Sequence, residues 1–303
     1  MQKTKILSIY GSYGNLNEVE QTLPSVIEET QRNDARLIIH DSTEPEHGRE
    51  EKWAYLRQFE QEDRVFLLLS NNLSMAHARN MCLRLGQEMY LPDHIAMMED
   101  DHGYKAGFIP KLVDAIEENY GKVAPNGLRF GLFTGCTNTK HDHGRVTEPF
   151  GDSGHHYVKI TDQANPFAVG GANSCFRAAP THHWDHVLKG YDTDEYLIST
   201  FQTKNLNYRN YHSGFTTMIV ADGDFMFDVE VNTGRGTSRQ IGEQALWDDK
   251  YTASDPRSSY RGKPHSTMPD PSLQVPTESK AEPKKKNWID KLVSLPKKGG
   301  RID

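Results

Sequence analysis

A chain of 303 residues, 36% of them hydrophobic, is long enough to bury one large core or two modest ones. Its 42 acidic against 35 basic side chains leave a formal net charge of −7. Residues 280–303 hold eight basic and three acidic residues, so the first 279 carry 27 basic against 39 acidic, which excludes a nucleic-acid binder as the reading of that body.

From its start the chain alternates strand and helix signals. Lys5-Ile6-Leu7-Ser8-Ile9-Tyr10 reads as a strand, closed by the turn Gly11-Ser12-Tyr13-Gly14-Asn15. Leu16, Val19, Leu23, Val26 and Ile27 recur at helical spacing and predict a helix packed back on that strand. Residues 36–40 form a second apolar run that stops at Asp41-Ser42-Thr43, and residues 65–69 a third that stops at Ser70-Asn71-Asn72. A helix is predicted over 74–89, with Ser74 as its cap. Strands alternating with helices imply a parallel sheet with right-handed crossovers, so every strand opens its C-terminal end on one edge.

The next run, Ile95-Ala96-Met97-Met98, ends in Glu99-Asp100-Asp101. A buried strand that delivers consecutive carboxylates to its C-terminal end suits a hard divalent cation, Mn²⁺ or Mg²⁺, held against a diphosphate, because such ions prefer oxygen ligands. That end of a strand is also where ligands bind in α/β sheets. A helix over 108–120 and a strand over 128–134 follow, then a polar, histidine-rich segment over 137–156 with the composition of a long loop. His141-Asp142-His143 in it lacks the spacing of a closed zinc site. The paired glycines Gly170 and Gly171 admit either close approach of a ligand or a tight bend. Gly190-Tyr191-Asp192-Thr193-Asp194-Glu195 opens a helix that runs through Phe201, placing Asp194 and Glu195 in a first turn where acids also favour the macrodipole. Residues 217–221 read as a strand, ending in Asp222-Gly223-Asp224.

These residues together resemble the GT-A nucleotide-sugar glycosyltransferases, and within them glycosyltransferase family 2. The turn Gly11-Ser12-Tyr13-Gly14-Asn15 is similar to that family's Pro-Thr-Tyr-Asn without its proline, and Val19, Leu23, Ser25 and Val26 to its helix pattern. Ile38-Ile39-His40-Asp41-Ser42 resembles its valine-valine-Asp-Asp-Gly-Ser, and Asn72 with Ala76, Ala78, Arg79 and Asn80 its Ala-Arg-Asn helix start. Glu99-Asp100-Asp101 stands at the DxD position, with glutamate first. The resemblance covers roughly residues 3–230 and implies an α/β, Rossmann-like, mostly parallel sheet flanked by helices, with a smaller acceptor-side subdomain, to which the polar, Pro-rich composition after Thr252 adds a disordered C-terminal tail.

The same resemblance implies a division into a nucleotide-sugar-binding half at 1–103, an acceptor-binding half at 104–250 and a linker and tail at 251–303. It places Ser12, Tyr13, Asp41, Arg79, Asn80 and Gly171 at the donor, with Asp41 facing the uracil or ribose. Glu99, Asp100, Asp101 and His212 would hold Mn²⁺ or Mg²⁺, and Asp194, or Glu195 one register away, would deprotonate the acceptor. Asp222 and Asp224 follow those catalytic acids, the wrong order for this fold's metal motif. The implied reaction transfers a sugar from a UDP-sugar or similar nucleotide-diphosphate sugar to a glycan or other hydroxyl acceptor, with inversion. Trp184 is either a sugar-stacking surface or part of a helix roofing the core.

Alternatives remain open. A nucleotidyltransferase would carry a basic glycine-rich loop after its first strand, and residues 11–15 contain no Lys or Arg. A catalytically degenerate GT-A binding protein is favoured by Glu99 and the missing proline, and a glycosyltransferase of modified DNA bases by the basic tail. Cys82, Cys136 and Cys175 are too widely spaced for a metal knuckle or a disulfide framework, so a cytoplasmic setting is expected. No apolar run reaches a membrane-spanning length of about 20 residues and no signal-peptide core is evident, so the protein is expected to be soluble or peripheral. From Thr252 the chain turns polar and Pro-rich, and Trp288, Leu292 and Leu295 share one face of a short basic helix suited to an anionic membrane or a nucleic acid.

Overall fold

Consecutive residues of the first strand point to opposite faces and are apolar on both, so this strand must sit in the middle of a sheet covered on each side. The computed structural model describes residues 3–14, 16–71, 75–124, 127–135, 143–147, 155–159, 167–169, 171–172, 176–191, 206, 209–210, 213–220 and 226–228. In it β1 (Ile6–Ser12) leads through α1 (Leu16–Arg32) to β2 (Ala35–Asp41). Then come α2 (Arg49–Leu56), β3 (Val65–Leu69), α3 (Met75–Tyr90), β4 (His94–Glu99) and β5 (His102–Tyr104). The second half contributes α4 (Phe108–Asn119), β6 (Arg129–Gly135), β7 (His143–Thr147), β8 (His155–Lys159), β9 (Phe167–Val169) and β10 (Gly171–Ala172). It ends in β11 (Arg177–Pro180), α5 (Thr181–His183), β12 (Phe215–Val220) and β13 (Met226–Asp228).

The main sheet has eight strands in the order β3-β2-β1-β4-β11-β6-β12-β9. The pairs β2–β3, β1–β2, β1–β4 and β12–β6 are parallel, whereas β11 runs antiparallel to β4 and β6, and β9 to β12. Strand order reverses at β1, whose two neighbours are β2 and β4, so a crevice opens beyond the C-terminal ends of β1 and β4. Two small sheets, β10-β7-β8 and β13-β5, complete the described pairing. The segment over 137–156 is therefore not all loop: its residues 143–147 pair with 155–159 as an antiparallel hairpin. Polar side chains at alternate positions of a strand give no apolar period to read, which is why composition alone misses it.

Ile6 and Tyr10 join Val19 and Leu23 of α1 and Phe108 and Leu112 of α4 on one face of the sheet. Leu7, Ile9 and Ile95 meet Ala76, Cys82 and Leu83 of α3 and Trp184 on the other. Helix α3 can approach that closely because of Gly86, where an added Cβ would stand 2.1 Å from Leu7 Cδ2 and 3.1 Å from Ile38 Cδ1. Trp184 is 1% exposed and its indole Nε1 donates to the Ile95 carbonyl at 3.1 Å, so it belongs to the core and offers no face to a sugar. Among the described residues, no helix is long and apolar enough to cross a membrane.

Two histidines are sealed into this core, which makes the fold sensitive to acid. His183 is fully buried, its Nε2 2.9 Å from Asn210 Oδ1, and burial pushes its ring down to about 3. His40, 2.9 Å from Ser70 Oγ, is pushed down to about 4, again chiefly by burial. Below pH 6.5 the unfolded chain takes up these protons and the folded chain does not, so stability falls as pH drops from 6.5 toward 4. At pH 5 each ring costs about 2 kcal/mol. A buried carboxyl described below, Asp100, is raised to about 6 and acts in the opposite sense, its protonation restoring about 1 kcal/mol over the same window. The net loss lowers the melting temperature by about 5–10 °C between pH 7 and pH 5. Scanning calorimetry at the two pH values checks this, and an unchanged transition would mean that both rings accept a proton within the fold.

Candidate active site

Register places the first polar residues together. Gly11 of β1 lies opposite Glu99 of β4, so Ser12 and Tyr13 meet Asp100 just beyond the strand ends. Ser12 Oγ and the Tyr13 backbone N–H both donate to Asp100 Oδ2 at 3.0 Å. The Asp100 carbonyl accepts from the hydroxyls of Tyr10 at 3.2 Å and Thr22 at 2.8 Å. Burial pushes the Asp100 carboxyl up to about 6, with Lys52 opposing the rise and Asp101 adding to it.

Beside it lies a buried lysine. Lys52 of α2 is 0% exposed, and its Nζ stands 3.0 Å from Asp41 Oδ2 and 3.5 Å from Asp100 Oδ2. Neither contact is aligned as a hydrogen bond, so Lys52 acts through its charge. Asp41, also 0% exposed, is surrounded by donors: the Thr43 backbone N–H at 2.9 Å and Trp53 Nε1 at 2.7 Å on Oδ1, and Thr43 Oγ1 at 2.9 Å on Oδ2. Asp41 therefore spends its acceptor capacity inside the protein. Nothing in the order of residues around Lys52 announces a charge in the core except its spacing. It lies four residues before the fully buried Leu56, and positions four apart on a helix share a face.

The other acids point elsewhere. Glu99 Oε1 accepts from Arg79 at 2.5 Å, and the Asp101 carboxylate meets His102 Nδ1. Burial pushes Asp101 up, but the charge and hydrogen bond of His102 outweigh it and hold the carboxyl below the usual carboxylate range. Glu99 and Asp101 keep about a quarter of their side-chain surface, 25% and 23%. The three consecutive carboxylates thus engage three different partners: Glu99 Arg79, Asp100 Ser12 and Tyr13, and Asp101 His102. Among the described residues, the three metal-ligating side chains whose donor atoms converge within 4.8 Å are Glu44, Glu46 and His47 at the surface. Glu44 Oε2 there accepts from the Tyr13 hydroxyl at 2.9 Å.

Arg79 and Asn80 reach from α3 to a distant part of the chain. Arg79, 3% exposed, places its guanidinium 5.1 Å from the Tyr191 ring centroid while holding Glu99. Asn80 Nδ2 donates to the Tyr191 carbonyl at 2.8 Å, and its Oδ1 accepts from the Tyr191 N–H at 2.7 Å.

Ser12, Tyr13, Asp41, Arg79, Glu99, Asp100 and Asp101, all anticipated from the sequence, thus stand at one edge of the sheet, joined there by Lys52, Trp53 and His102, which were not. Gly171 pairs with Thr147 in the small sheet β10-β7-β8. Asp194, Glu195, His212, Asn72, Ser74, Asp222, Asp224 and the tail from Thr252 lie outside the described residues. Chemically, the half-buried carboxylates of Glu99 and Asp101 with the His102 imidazole form an O/N donor set of the kind that fits Mn²⁺ or Mg²⁺. Arg79 adds a planar cation suited to phosphate.

No protein-family model matches this sequence, and no curated protein does. Solved structures do. A mannosyltransferase, PcManGT from Pyrobaculum calidifontis in complex with GDP-Man and Mn²⁺, is 16% identical over 81% of this chain, with a TM-score of 0.50. GalNAc-T7, solved with UDP, GalNAc and Mn²⁺, is 12% identical over 81% of this chain, with a TM-score of 0.58. The chain spans 62% of the first structure's length and 49% of the second's. Likeness at such identities shows the fold: this is the GT-A fold of nucleotide-sugar glycosyltransferases.

Proposed function

We propose that this protein is a metal-dependent glycosyltransferase that binds a nucleotide-diphosphate sugar across the C-terminal ends of β1, β2 and β4. The observation that carries the reading is the set of charged pairs at that edge: Arg79 with Glu99 and Asp101 with His102, beside a Lys52–Asp41–Asp100 network that braces the strand ends. Glu99, Asp101 and His102 would hold a divalent cation, and the chemistry it would supply there is Lewis-acid neutralisation of charge on a leaving nucleoside diphosphate. Arg79, paired with Glu99 at this edge, would offer its planar guanidinium to the phosphates. Ser12 and Tyr13 are braced by Asp100 and form the wall beside the nucleoside. Asp194, with Glu195 as its alternative, takes the proton of the acceptor hydroxyl as general base. Both solved relatives carry Mn²⁺ with a guanosine or uridine nucleotide, which supports GDP- and UDP-sugars as the donors to try first.

The expected result is that Mn²⁺-dependent binding of UDP or GDP, followed by titration calorimetry, weakens at least about tenfold in Asp101→Ala and is unchanged in Asp222→Ala. Chelation of the metal abolishes release of nucleotide from GDP-mannose or UDP-GalNAc. The reverse pattern between the two variants would move the metal to the later acidic cluster. A second reading, a binding protein on a degenerate scaffold, is favoured by the internal engagement of Asp100 and Asp41. Nucleotide-sugar binding without any metal-dependent hydrolysis would decide for it.

A further inference from the structure

Neighbouring parallel strands release their chains side by side, so the residues that follow β1 and β2 border the same part of the sheet edge. Ser12 of β1 lies opposite Asp41 of β2, and beyond them the Gly14 N–H donates to Thr43 Oγ1 at 2.8 Å. One residue further on, Glu44 Oε2 accepts from the Tyr13 hydroxyl at 2.9 Å and stands 3.8 Å from His47 Nε2. Tyr13 and His47 meet edge to face with ring centroids 5.9 Å apart, so both rings border one carboxylate. Pro45 follows Glu44 and confines it to extended backbone, with φ −75 and ψ 153. Among the described residues Glu44 Oε1 has no hydrogen-bond partner, and the side chain keeps 32% of its surface. Asp41, in contrast, is 0% exposed and accepts from Thr43 and Trp53. A nucleoside lying along the Tyr13 wall therefore meets Glu44, and not Asp41, as its open carboxylate.

We infer that Glu44 selects the nucleobase of the donor, and that the nucleobase it selects is guanine. The inference rests on the proposed function: with the cation and diphosphate at the end of β4, the nucleoside extends across β1 toward β2, where Tyr13 and Glu44 stand. Guanine carries two adjacent donors on its Watson–Crick edge, N1–H and the 2-amino group, and the two oxygens of a carboxylate accept both together. Uracil offers a single donor, N3–H, flanked by two carbonyl oxygens, so the second carboxylate oxygen faces an acceptor and is repelled. Adenine and cytosine each set one amino group beside a ring acceptor and meet the same conflict. The Tyr13 hydroxyl uses one lone pair of Oε2 and steadies the carboxylate, leaving Oε1 and the other lone pair of Oε2 for the two bonds to guanine.

Titration calorimetry of the full chain with Mn²⁺ tests this against GDP, UDP and inosine diphosphate, which is GDP without the 2-amino group. In the wild type GDP is expected to bind about 10- to 100-fold more tightly than UDP, the discrimination of one bidentate contact to a base edge, with inosine diphosphate between them. Glu44→Gln keeps an acceptor for the Tyr13 hydroxyl but sets an N–H donor where the second acceptor stood. GDP then weakens by about the same factor, UDP is nearly unchanged, and inosine diphosphate binds as GDP does. A wild type that binds UDP as tightly as GDP overturns the inference and leaves the proposed function standing. Equal weakening of GDP and UDP in Glu44→Gln also overturns it, since Glu44 would then only brace Tyr13. So does a loss of Mn²⁺ binding in that variant without nucleotide, which would make Glu44, Glu46 and His47 a metal site. A wild-type protein that binds none of the three nucleotides with Mn²⁺ overturns the proposed function, and this inference with it.

Discussion

Replacing Lys52 by methionine is expected to destabilise the fold by about 3–5 kcal/mol, the range for removing one partner of a buried ion pair. The side chain is 0% exposed and stands 3.0 Å from the Asp41 carboxylate, which is also 0% exposed, and 3.5 Å from that of Asp100, which keeps 15% of its side-chain surface. Methionine has nearly the same volume, so the loss isolates the charge and leaves little cavity. Two acids then face each other without a cation, and the Asp100 carboxyl, already raised to about 6, moves further up. The partner change Asp41→Asn in the Lys52→Met background should recover part of the loss, because a neutral amide no longer needs a counter-charge, and a double-mutant cycle measures the coupling. Urea unfolding gives all four stabilities. A single-variant loss below about 0.5 kcal/mol would show that water screens the network and that Lys52 is dispensable.

The second large effect is on turnover. Asp194→Asn is expected to leave Mn²⁺-dependent nucleotide binding intact and to lower hydrolysis or transfer by about 10² to 10⁴, the usual contribution of a positioned general base. Two acids following Tyr191 motivate it, since Tyr191 is tied to α3 next to the residue that holds Glu99. Glu195→Gln is the matched control, expected to fall far less. If Glu195→Gln carries the loss and Asp194→Asn does not, the base is the neighbour. If neither does, the chemistry draws its base from another element.

Local periodicity alone determined much of this protein. The runs at 5–10, 36–40, 65–69 and 95–98 are continuous apolar stretches that end in polar residues, and α1, α3 and α4 carry apolar residues at helical spacing. Those signals are short-range, and burial on both faces of a parallel sheet leaves no other arrangement for them. Strand direction also brought Ser12, Tyr13, Asp41 and the three acids to one edge, because parallel strands share the direction in which their C-terminal ends open, whereas Arg79, on α3, was assigned there through the family resemblance. What tertiary structure decided are the contacts between residues far apart in the chain. Lys52 reads as an ordinary surface cation until α2 packs it against Asp41 and Asp100. Glu99, Asp100 and Asp101 read as one tripod, yet each is drawn to a different partner, Arg79, Ser12 with Tyr13, and His102. Asn80 is bonded in both directions to the backbone of Tyr191, 111 positions away, a contact that no local pattern announces and that depends on the chain passing Gly190 at a positive φ. Charge and hydrogen-bond partners are set by distance in space, and the order of residues specifies that distance only through the packing of the whole sheet.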